Sequence, residues 1–492
     1  MALPIDQLRK IRLEKLQKIK KLGIDPYPPR CLRQQTISQA LKMIGKKVAV
    51  TGRIMAIRGH GGIHFFDLRD ETEKIQLVFK KDNLQTSNFK LLALLDIGDF
   101  LASQGRVFKT KAGEISILVS SFQLLAKSLR PLPSKWHGLK DVEERYRKRY
   151  LDLIMNEEVK EVFHRRTHII SAIREFLDNQ GFLEVETPTL QEIYGGASAR
   201  PFVTHHNALD ADFYLKISDE LYLKRLIIGG FEKVYEIDKD FRNEGIDRFH
   251  NPEFTMMECY WAYADYNQMM ELTENLFNFV AKKVIGTTKI TFGKHKIDFK
   301  PPWQRLPMKE GLKKYLGIDV DKLTDEEIKN FLKKHNLTVE ERPTLSGVAA
   351  GFNRGVAVAT LFELVEPYLI QPTFVIDFPK ETTALCKPKP DEPELIERFE
   401  PYIAGFEVGN AYSELNNPLI QREFFEEQVK AAKSGDEEAH PMDEEFLEAM
   451  EYGMPPTGGL GIGIDRLVML LTNQQCIRDV ILFPTLAPKK ND

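Results

Sequence analysis

Apolar and polar positions in the N-terminal part of the chain follow first a helical period and then a strand period. Leu8, Ile11, Leu16, Ile19 and Leu22 recur at near-helical spacing, with Arg9, Lys10, Arg12, Lys15, Lys18, Lys20 and Lys21 between them, which predicts a basic amphipathic helix over 8–22. Such a helix either docks on its neighbour or serves as an RNA-contacting arm. Farther on, short β-rich runs over 48–58, 63–68, 74–79, 100–108 and 114–125 are separated by turn residues. Five strands of this length predict a small OB-type barrel, an architecture that stacks single-stranded nucleic acid on exposed aromatic rings. Phe65, Phe66 and Gln76 are the candidates on it. Strand alternation sends one of the two phenylalanines into the core and leaves only the other for a ligand.

A proline-containing stretch over 130–138 and a charged run over 141–149 then break the pattern. Beyond them, Val159, Val162, Phe163, Ile169, Ile170, Ile173, Phe176 and Leu177 share one helical face, with Gly181 placed as the stop. The chain therefore reads as α+β: a basic helical extension over 1–46, a barrel over 47–130, a linker over 131–156 and a second domain over 157–492. An acidic stretch over 435–451 predicts a surface loop and helix.

Composition narrows the setting without choosing a function. The 492 residues, 42% of them hydrophobic, suffice for two or three separate cores. With 69 Lys and Arg against 72 Asp and Glu, the net charge is only -3, so a nucleic-acid partner must be met by a local patch. Cys31, Cys259, Cys386 and Cys476 stand far apart, which suggests neither a disulfide framework nor a zinc site and fits a reducing cytoplasm. No apolar run reaches the ~18 to 20 residues of a membrane helix, so a soluble protein with no membrane partner is expected.

Chemistry concentrates in three places. Over 233–242, Tyr235, Ile237 and Phe241 face one way while Glu236, Asp238, Asp240 and Arg242 face the other, and a second strand follows over 254–261. On that strand Glu258 shares a face with Phe254, Met256 and Tyr260, so either Arg242 or a cationic ligand should satisfy its charge. Over 456–471, Gly459, Gly461 and Gly463 alternate with Leu460, Ile462 and Ile464, leaving one strand face without side chains; a backbone or a flat ligand such as a nucleotide base must approach there. Asp465 is expected to cap the next helix, leaving Arg466 in its first turn, where a cation opposes the helix dipole unless an anion is bound. Finally, the run 399–414 reads as one strand loaded with carboxylates, suited to magnesium or an ammonium group. Glu400 and Glu407 form a plausible magnesium pair, and Asn410, Tyr412 and Glu414 share a face. Alternation opposes Glu407 to Glu414, so a bulge or bend at Gly405 or Gly409 is required.

Together these segments resemble the three motifs of the class II aminoacyl-tRNA synthetases: the long helix with 181–188, then 241–245 with 250–254, then 461–466. The stretches 195–202, 204–207, 220–225 and 251–266 are similar to the lysyl-tRNA synthetases of subclass IIb in particular. The resemblance covers the chain from about Lys47 onward. It implies an antiparallel catalytic sheet flanked by helices, an OB domain for the anticodon and a homodimer built partly through the first motif. It also implies that Arg242 holds the α-phosphate and Arg466 the γ-phosphate of ATP, both acting in catalysis, while Glu244, His250, Phe254, Gly461 and Gly463 complete the ATP site. Glu400 and Glu407 would ligate Mg2+. Gly196, Glu220, Glu258, Tyr260, Asn410, Tyr412 and Glu414 would hold L-lysine, and Phe65 and Gln76 would read the anticodon of tRNA(Lys). Carboxylates and aromatic walls are what a lysine side chain needs, whereas aspartate would need a cation, so the acidic pocket argues against the aspartyl and asparaginyl branches. Keeping both arginines and both glutamates argues against a synthetase-like RNA-binding protein that has lost catalysis. Three departures from the family pattern stand out: Phe249 where bacterial relatives often carry Arg, the run 381–387, and Ser121 where relatives commonly carry Glu.

Overall fold

In a computed structural model of the chain, residues 4–60, 62–84, 86–133, 141–337, 352–433 and 441–489 are described. They divide into two units, Met1–Lys140 and Asp141–Asp492. In the first, the N-terminal helix spans Ile5–Lys21 and buries Leu16 and Ile19, the latter within the barrel's own core. Arg12 is buried with them: its guanidinium donates to the carbonyl oxygens of Ile97, Ser128 and Arg130, each at 3.0 Å. One face of this helix is thus docked on its neighbour, while Arg9, Lys10, Lys18, Lys20 and Lys21 remain exposed.

The five predicted strands are all present as β1 (Lys47–His60), β2 (Ile63–Arg69), β3 (Lys74–Lys80), β4 (Phe100–Lys109) and β5 (Ile115–Ala126). They close in the order β1-β2-β3-β5-β4. Phe66 points inward and is fully buried, 4.8 Å from the ring of Phe79, whereas Phe65 is half-buried on the outer face.

The linker expected to run to residue 156 ends earlier. Val142–Arg147 and Arg149–Met155 are short helices that belong to the second unit. Arg149 is completely buried; it pairs with Asp152 at 2.8 Å and donates to the carbonyl oxygens of Leu482 at 3.0 Å, Arg478 at 2.8 Å and Ile481 at 3.1 Å. The run 141–149 reads as part of a linker because the carbonyls that Arg149 holds lie some three hundred residues away. Arg149→Ala would strand three carbonyls and weaken the hold on Asp152, so it is expected to lower the unfolding free energy by about 3 kcal/mol, read as a shift of the urea midpoint. A change under about 1 kcal/mol would mean that water replaces the guanidinium there.

The second unit is built on a sheet that has nine strands among the described residues. These are β6 (Leu183–Glu184), β7 (Lys233–Phe241), β8 (Glu253–Ala262), β9 (Gln304–Pro307), β10 (Thr373–Pro379), β11 (Leu395–Ile403), β12 (Phe406–Glu407), β13 (Gly409–Ser413) and β14 (Thr457–Gly463). Their order is β9-β10-β11-β13-β14-β8-β7-β6, with β12 paired to β11. The expectation of an antiparallel sheet holds in the centre but not at the edges, where β9–β10 and β7–β6 are parallel. Helices lie in the connections between these edge partners, as parallel pairing requires a crossover.

Helices Glu157–Asn179, Tyr266–Ile285 and Ile464–Thr472 cover one face of the sheet, packing Ile169, Ile173, Phe277, Val280, Leu467 and Leu470 onto Tyr235, Met257, Cys259, Leu460 and Ile462. The first ends where the sequence placed its stop, at Gln180 followed by left-handed Gly181. Of the acidic stretch, 435–440 lies outside the described residues, and Glu444–Glu451 is a helix whose Phe446, Leu447 and Met450 are buried. No helix among the described residues is long and apolar enough to cross a membrane.

Candidate active site

The face of the sheet opposite that core has a trough because β14 lacks side chains there. Gly461 is paired with Glu258 on β8 and Asn410 on β13, while Gly459 is paired with Tyr260 and Tyr412. Directly opposed residues in adjacent strands point the same way, so the bare glycines leave a floor flanked by these four side chains. The cavity above it has a volume of about 350 Å³ and brings together Gly196, Glu220, Glu258, Tyr260, Asn410, Tyr412 and Glu414, which the sequence had assigned to one pocket.

Gly459 makes room for a carboxylate: a Cβ on it would stand 1.9 Å from Glu414 Oε1 and 2.7 Å from the Tyr260 ring. At Gly461 the nearest contact would be 3.4 Å, to Met256. Gly459→Ala is therefore expected to displace Glu414 and raise the KM for the pocket's ligand at least about tenfold. An unchanged KM in the same kinetic assay would remove Gly459 as the seat of Glu414. Gly196, at φ +87°, is constrained in the same way, since a Cβ would lie 2.8 Å from Ser218 Oγ.

The carboxylates of this pocket are buried and close together. Glu258 does not pair with Arg242; it accepts from Ser218 Oγ at 2.8 Å and from the Tyr260 hydroxyl at 3.2 Å. Arg242 instead lies over the Phe254 ring, 5.1 Å from its centroid, and donates to the Ile217 carbonyl at 3.3 Å. Asp219 and Asp240 converge with Glu258, one oxygen of each lying within 4.8 Å of the others. Burial and the charges of Asp219, Asp240 and Glu220 push the proton affinity of Glu258 well above the usual carboxylate range. Burial likewise pushes Glu414 up to about 8, Lys224 pulls against that rise and Glu220 adds to it.

A second cavity of about 370 Å³ adjoins the first and is lined by Arg242, Glu244, His250, Phe254, Gly463 and Arg466. Gly461, which the sequence assigned to the same group, lines the first cavity instead. Asp465 does not cap its helix, whose N-cap is Gly463. Its carboxylate accepts from the Thr255 backbone N–H at 2.8 Å and from Arg166 at 2.5 Å, fastening the helix start to β8. That anchor turns Arg466 toward the cavity, where it donates to the Glu407 carbonyl at 2.7 Å and faces His250 Nε2 at 3.0 Å. Asp247 holds the other ring nitrogen of His250 at 2.8 Å. Phe249, at the position of one family departure, packs against Phe406 with ring centroids 5.0 Å apart.

Glu400 and Glu407 lie on two strands joined by a bend at Gly405, one of the two glycines expected to supply it. The chain reverses between them at Ala404 and Gly405, both with positive φ, and Glu407 pairs with Tyr402 across the resulting hairpin. Glu400 and Tyr402, two residues apart on β11, share a face, so the hairpin puts both glutamates on one side. Glu400 Oε1 meets Arg398 at 2.5 Å and its Oε2 accepts from the Tyr402 hydroxyl at 2.9 Å. Burial raises the proton affinity of Glu400, Arg398 opposes that rise and Glu407 adds to it. Two hard oxygen donors of like charge, one of them half-exposed beside the Arg466 cavity, suit a divalent cation.

Comparison with known proteins fits this arrangement. The family model described as tRNA synthetases class II (D, K and N) matches residues 141–487, and a model described as an OB-fold nucleic acid binding domain matches 48–125. The chain is 54% identical to the lysine–tRNA ligase of Thermoanaerobacter pseudethanolicus over 494 residues, covering 99% of this chain and 97% of that protein. It is 54% identical to the lysine–tRNA ligase of Clostridium novyi, covering 98% and 95%, and 52% identical to that of Moorella thermoacetica, covering 99% of each. The chain belongs to the class II lysyl-tRNA synthetases.

In the barrel of this synthetase, Gln76 is only 7% exposed, and both ends of its amide are engaged: Nε2 donates to Glu114 at 2.9 Å and Oε1 accepts from Ser116 at 3.0 Å. Phe65 is paired with Arg58 and Val78, and Arg58 meets Asp67 at 2.6 Å on the same outer face. Ser121 is half-buried opposite Gln104 on β4. In the catalytic unit, sequence reasoning missed Ser218 and Arg398, which line the first cavity, and Asp219 and Lys224, which stand against its carboxylates. Only Lys224 had a legible signal, its i, i+4 spacing from Glu220 within a helix.

Proposed function

We propose that this synthetase activates L-lysine with ATP, forming lysyl-adenylate and pyrophosphate, and then transfers the lysyl group to the 3′-terminal adenosine of tRNA(Lys). The observation that carries the reading is the first cavity's wall, where the buried carboxylates of Glu220, Glu258 and Glu414 stand among Tyr260 and Tyr412. Such a wall rejects acidic amino acids and rewards an ammonium on an apolar stem.

In this reading Glu220, Glu258 and Glu414 take the ammonium groups of lysine, Tyr260, Asn410 and Tyr412 flank its stem, and the Gly196 loop closes one side. Arg242, between the two cavities, holds the α-phosphate, and Arg466 the γ-phosphate. Glu244, His250 and Phe254 place the nucleotide beside Gly461 and Gly463. The Mg2+ that Glu400 and Glu407 would hold supplies neutralising charge on the phosphate oxygens. The lysine carboxylate attacks the α-phosphorus in line and pyrophosphate leaves; a ribose hydroxyl of the tRNA then attacks the lysyl carbonyl and AMP leaves. No side chain is a nucleophile. The two arginines offset charge as it develops and the pocket aligns the reactants.

Residues 47–130 act as the anticodon-binding domain, with Phe65 as the stacking platform and Gln76 as a reader once its internal partners yield. The enzyme works in the cytoplasm as a homodimer through the first motif; light scattering that finds an active monomer would remove the dimer. ATP–pyrophosphate exchange with each of the twenty amino acids tests the whole reading. Exchange with lysine alone supports it. Exchange with another amino acid instead would overturn the pocket, and none at all would leave a non-catalytic RNA-binding protein.

A further inference from the structure

A fully buried cation of the protein itself stands against the carboxylates of the catalytic pocket. Lys224 is completely buried in helix Glu220–Ile228, and its ammonium sits between two carboxylates of the first cavity, those of Glu220 and Glu414. It meets Glu414 Oε2 at 2.5 Å and Glu220 Oε1 in a still closer contact. Both oxygens of Glu414 are buried without a hydrogen-bond partner among the described residues; Oε2 has the Lys224 ammonium as its ion-pair contact, whereas Oε1 lies over the bare Gly459. One carboxylate thus has one oxygen committed to a resident ammonium and one left open.

Charge counting gives this a purpose. When ionised, Glu220 and Glu414 contribute two negative charges and Lys224 offsets one, leaving one for a substrate ammonium. Without Lys224, both charges would be buried uncompensated, and a buried carboxylate in that position takes up a proton instead of remaining charged.

We propose that Lys224 is a specificity-determining residue of this pocket: by bridging Glu220 and Glu414 it offsets one of their charges and fixes Glu414 Oε1 as the acceptor for a substrate ammonium. This rests on the lysine-activating function proposed above. Lys224 acts on the substrate through Glu414, so it positions and charges the acceptor without contributing to the chemical step.

The groups that face Glu414 are Lys224 and Glu220 from the helix, Tyr260 from β8, Tyr412 from β13, and Cys386 across a β-bridge. Lys224 is the cation among them that lowers its proton affinity. The test is ATP–pyrophosphate exchange over pH 6.5–9.5, reading the lysine KM and the ATP KM separately for wild type, Lys224→Met and Lys224→Arg. In wild type the lysine KM falls as pH rises and levels off above about 8, where Glu414 ionises. In Lys224→Met that levelling moves up by at least about one unit, so the lysine KM near neutrality rises about tenfold while the ATP KM stays within about twofold. Lys224→Arg restores most of the wild-type profile.

A Lys224→Met enzyme with lower thermal stability but an unchanged lysine profile would overturn the proposal and leave Lys224 a structural ion pair. Should that variant fail to fold, Glu220→Gln gives the complementary reading. With its competitor gone, Lys224 serves Glu414 alone, so the levelling moves to lower pH, and no movement would again overturn the proposal. Absence of lysine-dependent exchange in the wild type would be a failure of the activity reading itself, distinct from either result.

Discussion

Replacing Arg466 by alanine is expected to lower lysine-dependent ATP–pyrophosphate exchange about a thousandfold, the scale of loss when a cation aimed at developing phosphate charge is removed. The geometry gives the reason. Arg466 sits in the first turn of its helix, where the dipole disfavours a cation, and its protein contacts are the Glu407 carbonyl at 2.7 Å, the Glu407 carboxylate at 3.4 Å and His250 at 3.0 Å. None of these requires arginine for the fold, so the melting temperature should change little. Single-turnover measurement at saturating ATP separates the outcomes. A loss confined to the ATP KM would mean that Arg466 holds the nucleotide equally in ground and transition states, and an unchanged rate would remove it from the phosphate site.

Glu414→Gln carries the second-largest expected effect. The substitution keeps shape and removes charge, so a charge-assisted bond to the substrate ammonium becomes a neutral one and the lysine KM rises roughly 10- to 100-fold, about 1.5 to 3 kcal/mol. The pH dependence supplies an independent check. Because burial raises Glu414 to about 8 in the empty pocket, its carboxyl is mostly protonated at pH 6.5 and mostly ionised at pH 9. A pocket that binds an ammonium through the ionised form therefore binds lysine more tightly as pH rises through that range, and the glutamine variant should lose this slope. A variant that keeps both the wild-type KM and the slope would place the ammonium elsewhere, with Glu258 the next candidate.

The two effects are separable because they fall in different cavities. Arg466 faces the phosphate side and Glu414 the amino-acid side, and Arg242 lines both. Double substitution of Arg466 and Glu414 should thus be additive in free energy within about 0.5 kcal/mol, as expected of groups that share no partner.

What the sequence by itself determined is the set of local patterns. Short β-rich runs between turn residues placed five barrel strands within a residue or two of their ends, and a period near 3.6 placed the Glu157–Asn179 helix and its Gly181 stop. The alternation of Gly459, Gly461 and Gly463 announced a bare strand face. Each of these follows from steric and solvation rules acting over a few neighbouring residues, which one sequence contains in full. What only the tertiary structure decided is which charges meet. Asp465 reads as a helix cap but fastens Thr255 and Arg166; Arg149 reads as part of a linker but holds the carbonyls of Arg478, Ile481 and Leu482; the bend expected at Gly405 or Gly409 is a hairpin at Gly405 that puts Glu400 and Glu407 on one face. Gly459 makes room for a carboxylate, and Lys224 bridges Glu220 four residues away and Glu414 nearly two hundred away. The role of a buried charge depends on how far water has been removed and which opposite charge has replaced it. Long-range strand pairing sets both, and spacing along the chain does not encode them.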